Sequence, residues 1–274
     1  MAGAERVTVE ITDGVADVRL NRPDKMNALD QAMFAGLVEA SDRLAADPGV
    51  RAVVLSGEGR GFCAGLDLSS FQAMRTRGDQ GAPGGTTTLA DRPRDKKANF
   101  AQQAAYGWTE LPVPVIAAVH GHALGGGFQI ALAADIRIVA PDVKMSVLEI
   151  RWGLVPDMTA TQMLPKLVPL DVAKELLWTG RTISGEEAVR LGIATRVSDD
   201  PRTTALELAA EIASKNPDAI RAGKRLLNQS GTVDAARQFL DESKEMGALI
   251  ASPNQLEAMT AFLEKRDAVF SDPG

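Results

Sequence analysis

The hydrophobic pattern begins with two alternating segments and then a helical one. Residues 7–11 and 15–20 alternate apolar and polar positions on either side of Asp13-Gly14. Alternation around an Asp-Gly pair predicts a β-hairpin. Over residues 30–46, apolar positions instead recur at the spacing of one helix face. The chain is therefore predicted to open with a hairpin and an amphipathic helix.

Short apolar runs in the middle of the chain alternate with helical segments. Uninterrupted apolar runs at residues 52–55 and 115–119 are typical of strands buried on both faces of a parallel sheet, and further strands are predicted at residues 136–140 and 143–146. Helices are predicted at residues 67–74, with Asp67 as the N-cap, at 96–109 and at 128–134. Residues 77–88 are rich in Gly and Thr without periodicity, which predicts a surface loop.

Helix signals dominate the last third of the chain. Ser184 begins a capping-box sequence, and Asn216 and Ser252 each precede a proline at a first helical position. The composition changes near residues 199–201, and only helices are predicted beyond them, the last over residues 255–267. Strand–helix units followed by a helical tail predict an α/β fold.

Composition narrows the chemistry that is possible. The 274 residues are enough for one large domain, or one domain with an appendage. Thirty Lys and Arg against 36 Asp and Glu give a net charge of -6, which argues against nucleic acid as the main partner. With only two His and one Cys, neither a structural zinc site nor an internal disulfide is expected. Carboxylates and backbone groups remain as the candidates for chemistry.

The sequence shows no feature that predicts secretion or a membrane span, so we expect a cytoplasmic protein. The N-terminus carries no apolar signal segment. Residues 111–134 are uncharged and long enough to span a bilayer, but they contain two Pro, four Gly and two His. A buried strand, a glycine turn and a buried helix explain this stretch better, so no membrane association is expected.

Two glycine-rich loops each follow a predicted buried strand. Residues 57–65 contain Gly59-x-Gly61-x-x-Ala64, a loose dinucleotide fingerprint that lacks an acidic residue where a nucleotide fold would place it. Residues 120–127 end in a Gly triplet, which serves either close strand–helix packing or a helix N-terminus with free N–H groups. Together the loops predict two N–H donors converging on one ligand oxygen, an oxyanion hole.

These segments resemble the crotonase superfamily, which includes enoyl-CoA hydratases and isomerases. The resemblance covers almost the whole chain, and its pieces occur in family order at residues 21–29, 62–68, 121–127, 134–137, 149–156 and 262–266. It implies a crotonase-like α/β fold with a ββα spiral core over residues 1–200. It also implies a helical C-terminal region, residues 201–274, that assembles the chain into a homotrimer or a dimer of trimers.

The resemblance further implies an acyl-CoA thioester substrate and no cofactor other than the coenzyme A that the substrate carries. It places the oxyanion hole on the backbone N–H groups of Ala64 and Gly126. The implied substrate and CoA contacts are Arg22, Lys25, Met26, Ala28, Cys63, Leu66, Asp67, Leu68, Gly125, Trp152, Phe262 and Lys265. Arg22, Lys25 and Lys265 are the candidates for the CoA phosphates, and Lys265 is expected to act across a subunit boundary.

Three residues are the candidates for the chemistry. Glu149 matches a family acid/base. The second glutamate of hydratases is replaced here by Gln129, whose amide does not titrate. Asp157 follows Glu149 by eight residues, a spacing that resembles dienoyl-CoA isomerases. Two alternatives stay open: Gln129 either orients water or substrate or satisfies a buried helix start, and Asp157 either moves a proton or caps a helix near Thr159.

Three functions follow, in order of preference. The first is an acyl-CoA double-bond isomerase that works through an enolate, with Glu149 as the main acid/base. The second is an enoyl-CoA hydratase with altered water activation. The third is a non-catalytic member of the superfamily that binds acyl-CoA.

Overall fold

A six-stranded, mostly parallel sheet forms the centre of the protein. The computed structural model describes residues 5–67, 92 and 96–273. In spatial order the sheet contains β1 (Val7–Thr12), β2 (Val15–Leu20), β3 (Ala52–Gly57), β4 (Val115–Val119), β6 (Ile136–Val139) and β8 (Arg196–Val197). Strands β1 and β2 pair antiparallel through the predicted hairpin, and all later pairs are parallel. The predicted buried strands at residues 52–55 and 115–119 are therefore confirmed, as is the further strand predicted at residues 136–140.

A smaller parallel sheet lies against the candidate site. It pairs β5 (His122–Leu124) with β7 (Lys144–Ser146). Isolated bridges extend it to both sides, from Cys63 to Ala123 and from Met145 to Ile183. Strand β5 was not predicted, because its three residues sit inside a glycine-rich stretch and are held by pairing with distant segments.

Helices cover both faces of the main sheet. The helices of the described residues are α1 (Gln31–Ala46), α2 (Phe100–Glu110), α3 (Gly126–Ala133), α4 (Ala160–Leu167), α5 (Leu170–Thr179), α6 (Gly185–Leu191), α7 (Pro201–Ala213), α8 (Pro217–Gln229), α9 (Ala235–Leu249) and α10 (Pro253–Glu264). Short 3-10 helices lie at Pro23–Lys25 and Glu149–Trp152. None of the helices in the described part of the chain has the length and apolar character needed to cross a bilayer.

The two faces of the sheet bury different residues of the same strands. On β3, Val53 and Leu55 join the large core that includes α1 and α2, whereas Val54 joins a smaller core on the opposite face. This follows from the alternation of side chains along a strand. Helix α7 closes the smaller core with Ala205 and Ala209, whose small side chains allow close approach to the sheet. The proposed boundary near residue 200 thus precedes a helix that belongs to the core packing.

Side-chain caps set the start of several helices. Asp30 accepts the N–H of Met33 at the start of α1, and Ser184, Asn216 and Ser252 cap α6, α8 and α10 as predicted. Helix α2 begins at Phe100 rather than 96, because Asn99 and Gln102 form a reciprocal capping box there. The predicted helix over 67–74 and the predicted loop over 77–88 lie outside the described residues, apart from Asp67.

Candidate active site

Two loops approach each other closely at the edge of the small sheet, and three glycines make this possible. A Cβ on Gly127 would lie 2.4 Å from the carbonyl oxygen of Cys63, and a Cβ on Gly65 would lie 2.5 Å from that of Leu124. Gly65 and Gly125 also have φ angles of +83° and +52°, which disfavour any residue with a side chain. The Gly-rich composition of both loops therefore reflects backbone contact between them.

The structure corrects the first of the two predicted oxyanion donors. The N–H of Ala64 donates to the carbonyl oxygen of Met26 at 2.9 Å, so it is already occupied. Two residues later, Leu66 pairs with Leu29 through the N–H groups of Leu29 and Asp67. That pattern leaves the N–H of Leu66 without an acceptor among the described residues. Leu66, and not Ala64, carries the available N–H donor of the segment 62–67.

The second predicted donor, Gly126, lies at the start of a helix. Gly126 is the first residue of α3, so its N–H has no acceptor within the helix, and it has none elsewhere among the described residues. The segment that carries Leu66 lies next to the N–H group of Gly126, because a Cβ on Gly65 would lie 3.6 Å from the nitrogen of Gly126. Leu66 and Gly126 are both partly exposed residues.

Glu149 places a carboxyl group beside Gly125, the residue that precedes the donor Gly126. Its Oε1 lies 3.5 Å from the position that a Cβ on Gly125 would take. Oε1 accepts a hydrogen bond of 2.7 Å from Nε2 of Gln129, whereas Oε2 is buried without a partner. Burial raises the pKa of Glu149, the charge of Asp157 raises it further, and the bonds from its own backbone N–H and from Gln129 oppose the shift. A carboxyl with one uncommitted oxygen and a raised pKa suits proton transfer.

Gln129 joins Glu149 to the start of another helix. Its Oε1 accepts the backbone N–H groups of Met158, Thr159 and Ala160 at 2.9, 2.9 and 3.1 Å. These are the N–H groups around the first turn of α4, which lack acceptors within that helix. The alternative that Gln129 satisfies a buried helix start is therefore confirmed, for α4 rather than for its own helix. Its proposed role toward water or substrate stays a prediction.

Asp157 does not cap α4. The N-cap of that helix is Thr159, whose own side chain makes no capping bond, and the capping oxygen comes from Gln129. The capping hypothesis for Asp157 is wrong, because a buried amide already fills that role. Although Asp157 is exposed as a residue, the protein around its carboxyl partly desolvates it and raises its pKa.

An ion pair between Arg22 and Asp67 holds the segment that carries the Leu66 N–H. Arg22 Nη1 donates to Oδ2 of Asp67 at 2.6 Å and to the carbonyl oxygen of Ala28 at 3.1 Å. Both charged side chains are largely buried, and Asp30 lies 3.4 Å from the same nitrogen. This guanidinium is committed to neighbouring protein oxygens, which makes Arg22 a support for the site rather than an exposed phosphate contact.

Asn27 is a supporting residue that the sequence pattern did not single out. It is fully buried with a positive φ of 56°, and its Nδ2 donates to the carbonyl oxygens of Glu58 and Gly61 at 2.9 Å each. Its Oδ1 accepts the N–H of Arg22. One amide thus ties the segment of Arg22 to the first glycine loop. The residue type was the one indication in the sequence, because Asn is, after Gly, the residue that best tolerates a left-handed backbone.

The remaining predicted contacts divide between the site and the protein surface. Cys63, Met26, Ala28 and Gly125 line the two loops; Cys63 is buried, its Sγ donates to the carbonyl of Asn27, and burial raises its thiol pKa to about 12. Lys25 and Trp152 are exposed on the two short 3-10 helices, and Phe262 and Lys265 are exposed at the end of α10. Leu68 lies outside the described residues. No group of three or more potential metal ligands occurs among the residues that are described.

Comparison with known proteins places this chain in a family. The family model for enoyl-CoA hydratase/isomerase matches residues 10–273. A short-chain-enoyl-CoA hydratase of Clostridium acetobutylicum is 33% identical over 95% of both chains. A crotonyl-CoA hydratase of Syntrophomonas wolfei is 34% identical over 97% of this chain and 98% of its own.

Solved structures agree with the sequence relatives. The crystal structure of an enoyl-CoA hydratase from Bacillus anthracis superposes with a TM-score of 0.85 at 30% identity, covering 97% of this chain and 98% of that chain. The fold is therefore the crotonase-like α/β fold with additional C-terminal helices, as expected. The chain belongs to the enoyl-CoA hydratase/isomerase family.

Proposed function

We propose that this protein is an acyl-CoA double-bond isomerase that works through a thioester enolate. The thioester oxygen would accept the N–H groups of Leu66 and Gly126. Removal of a proton from the carbon next to the thioester leaves negative charge on that oxygen, and two fixed donors stabilise this charge more than they stabilise the ground-state carbonyl. Loss of one such donor costs roughly 3–4 kcal/mol in a known case.

The observation that carries the proposal is the environment of Gln129. By the resemblance, hydratases of the family use two glutamates, and Gln129 stands at the sequence position of one of them. Its oxygen accepts three backbone N–H groups and its nitrogen donates to Glu149. An amide held this way supplies no proton and takes none, which favours proton transfer by Glu149 over two-carboxylate activation of water.

Asp157 supports a transfer between distant carbons. The charge of Asp157 reaches Glu149, and burial raises the pKa of both carboxyl groups. By resemblance to dienoyl-CoA isomerases, Asp157 would take a proton from one end of the conjugated chain and Glu149 would return one at the other. The double bonds shift between these ends, and no atom is gained or lost.

Enoyl-CoA hydration is the second candidate. The relatives named above are hydratases, and Glu149 with one free oxygen is equally a group that can position water. In this case the chain would add water to the double bond with one carboxylate in place of two.

The proposed ligand and assembly follow the same family expectation. Lys25 and Lys265 are exposed lysines that can meet the phosphates of CoA, so we expect Lys265→Ala to raise KM more than it lowers kcat. Exposed apolar side chains on α9 and α10, including Phe239, Phe262 and Leu263, fit a homotrimer or a dimer of trimers. We propose a cytoplasmic enzyme with no nucleic-acid or membrane partner.

A substrate panel tests the proposal. Steady-state rates with 3-enoyl-CoA and 3,5-dienoyl-CoA are compared with the rate of hydration of 2-enoyl-CoA, using the same enzyme preparation. We expect isomerisation to exceed hydration. Fast hydration of 2-enoyl-CoA would favour the second candidate, and tight binding of every thioester without turnover would favour a binding protein.

A further inference from the structure

The side chain of Gln129 has a fixed orientation. It is 1% exposed, and its Oε1 receives the N–H groups of Met158, Thr159 and Ala160. Only an acceptor can face three donors, so the amide cannot turn over without losing all of these bonds. The NH2 group must therefore point to the opposite side, toward Glu149.

Fixing the amide also fixes the carboxyl group of Glu149. Nε2 of Gln129 donates to Oε1 of Glu149 at 2.7 Å, and Oε2 remains buried and unpartnered. We propose that Gln129 is the positioning residue of this site: it holds Glu149 by one oxygen and leaves Oε2 as the oxygen that exchanges protons with the acyl-CoA. This deepens the proposed function and rests on it.

The same contact brings together two parts of the site. Gln129 lies on α3, three residues after the donor Gly126, and it ties the start of α4 to that helix. Met158 carries one of the bonded N–H groups, and its sulfur would lie 3.1 Å from a Cβ on Gly126. The position of the carboxyl relative to the oxyanion donors therefore depends on a single amide.

Two substitutions separate positioning from helix capping. In Gln129→Glu, carboxylate oxygens can still accept the three N–H groups of α4, but the donor to Glu149 is replaced by a like charge at the same place. In Gln129→Met, the side chain has similar volume and loses both contacts. Asp157 is the other titratable group among the described residues whose charge acts on Glu149, and both variants leave it unchanged.

A matched control is available elsewhere in the chain. Gln103 on α2 is 5% exposed, and its Nε2 donates to Oε2 of Glu110 at 3.4 Å, a contact that involves none of the residues assigned to the candidate site. Gln103→Met therefore removes a buried amide and a bond to a glutamate without changing the candidate site. Its melting temperature reports the general cost of such a change.

The experiment measures the pH profile of kcat/KM and, independently of activity, the titration of Glu149. The second measurement uses NMR of glutamate labelled at the side-chain carboxyl carbon, with the Glu149 signal assigned by its loss in Glu149→Gln. We expect the acidic limb and the Glu149 titration to move to higher pH by one unit or more in Gln129→Glu and by less in Gln129→Met. Gln103→Met is expected to match the wild type, and KM to stay within about twofold throughout.

The outcomes separate a positioning role from a structural one and from failure of the proposed function. If Gln129 only caps α4, Gln129→Met keeps the wild-type profile and the wild-type titration of Glu149, which overturns the inference. If the Met variant does not fold, a Glu149 titration that stays unchanged in Gln129→Glu, despite the added charge, overturns it as well. If Glu149→Gln is as active as the wild type, the base is misassigned and the proposed function fails. In that case, an unchanged Glu149 titration in the Gln129 variants would show that the inference fails as well.

Discussion

At the scale of single residues, the half-buried carboxyl of Glu149 differs from the other acidic side chains of the site. It has one oxygen held by an amide and one buried without a partner. Such a group is costly for stability and useful for proton transfer. Residues of this kind are expected where function, and not packing, determines the side chain.

Replacing Glu149 by Gln removes the proton-transferring group and keeps the shape and the contact with Gln129. We expect kcat to fall by roughly 10²–10⁴-fold, the usual contribution of a positioned acid/base, with little change in the affinity for CoA. Steady-state kinetics with the best thioester of the panel measure both. Unchanged turnover would mean that another residue is the base.

The raised pKa of Glu149 also predicts how stability changes with pH. A carboxyl whose pKa is higher in the folded than in the unfolded chain binds more protons when folded, so its contribution to stability falls as pH rises through that interval. In Glu149→Gln this decrease in stability with rising pH does not occur, because the amide does not titrate. We therefore expect the variant to gain stability relative to the wild type from acid to neutral pH, as measured by urea unfolding at several pH values. A difference that stays constant with pH would contradict the assigned shift.

Asp157 tests which isomerisation is catalysed. Asp157→Asn is expected to abolish the conversion of 3,5-dienoyl-CoA, because the carboxyl group that takes the proton from one end of the conjugated chain is lost, while the conversion of 3-enoyl-CoA continues with Glu149 alone. Asp142→Asn, at an exposed turn between β6 and β7, serves as the control. Equal loss of both activities, or of neither, would remove Asp157 from the proposed transfer.

At the scale of elements, the site depends on two backbone loops that touch. Gly127→Ala would place a Cβ 2.4 Å from the carbonyl oxygen of Cys63, so the loops must separate and the two N–H donors must diverge. We expect a loss of kcat/KM of at least about 100-fold, the order found when one oxyanion donor is removed, together with a lower melting temperature.

A glycine in a different element provides the comparison for that change. Gly223 lies within α8, and a Cβ there would meet nothing within 4 Å. Gly223→Ala should keep full activity and stabilise the protein by up to about 1 kcal/mol through helix propensity. If Gly127→Ala behaved like Gly223→Ala, the contact between the loops would not matter for catalysis.

The sequence predicted most of these elements but only part of the site. Apolar runs found β3 and β4 because both strands are buried on both faces, and capping residues found the starts of α6, α8 and α10. These signals are local. Strand β5 was missed because its pairing partner, β7, is separated from it by about 20 residues of chain.

The difference between local signals and contacts between distant residues also explains the errors within the site. Gly126 and Glu149 were proposed from their motifs, whereas the choice between Ala64 and Leu66 depends on which N–H is already bonded to a residue far away in sequence. The acceptor for the start of α4 likewise comes from Gln129, about 30 residues earlier. Patterns along the chain do not contain such pairings.

At the scale of the whole molecule, the C-terminal helices differ from the core. Helix α9 has no buried residue, and Phe239, Met246, Ile250 and Phe262 are each more than half exposed on α9, α10 and the turn between them. A large exposed apolar area is typical of a subunit interface. We expect light scattering coupled to size exclusion to give three or six times the mass of one chain, and a clean monomer would contradict the proposed assembly.

The central claim is that the site forms a thioester enolate and that Glu149 moves the proton. Exchange of the C2 protons of a saturated acyl-CoA with D2O, followed by 1H NMR, tests this without depending on which carbon later receives a proton. We predict exchange with the wild-type protein and none above background with Glu149→Gln. Equal exchange by both proteins, or no exchange by a wild type that turns over the unsaturated thioesters, would contradict the account.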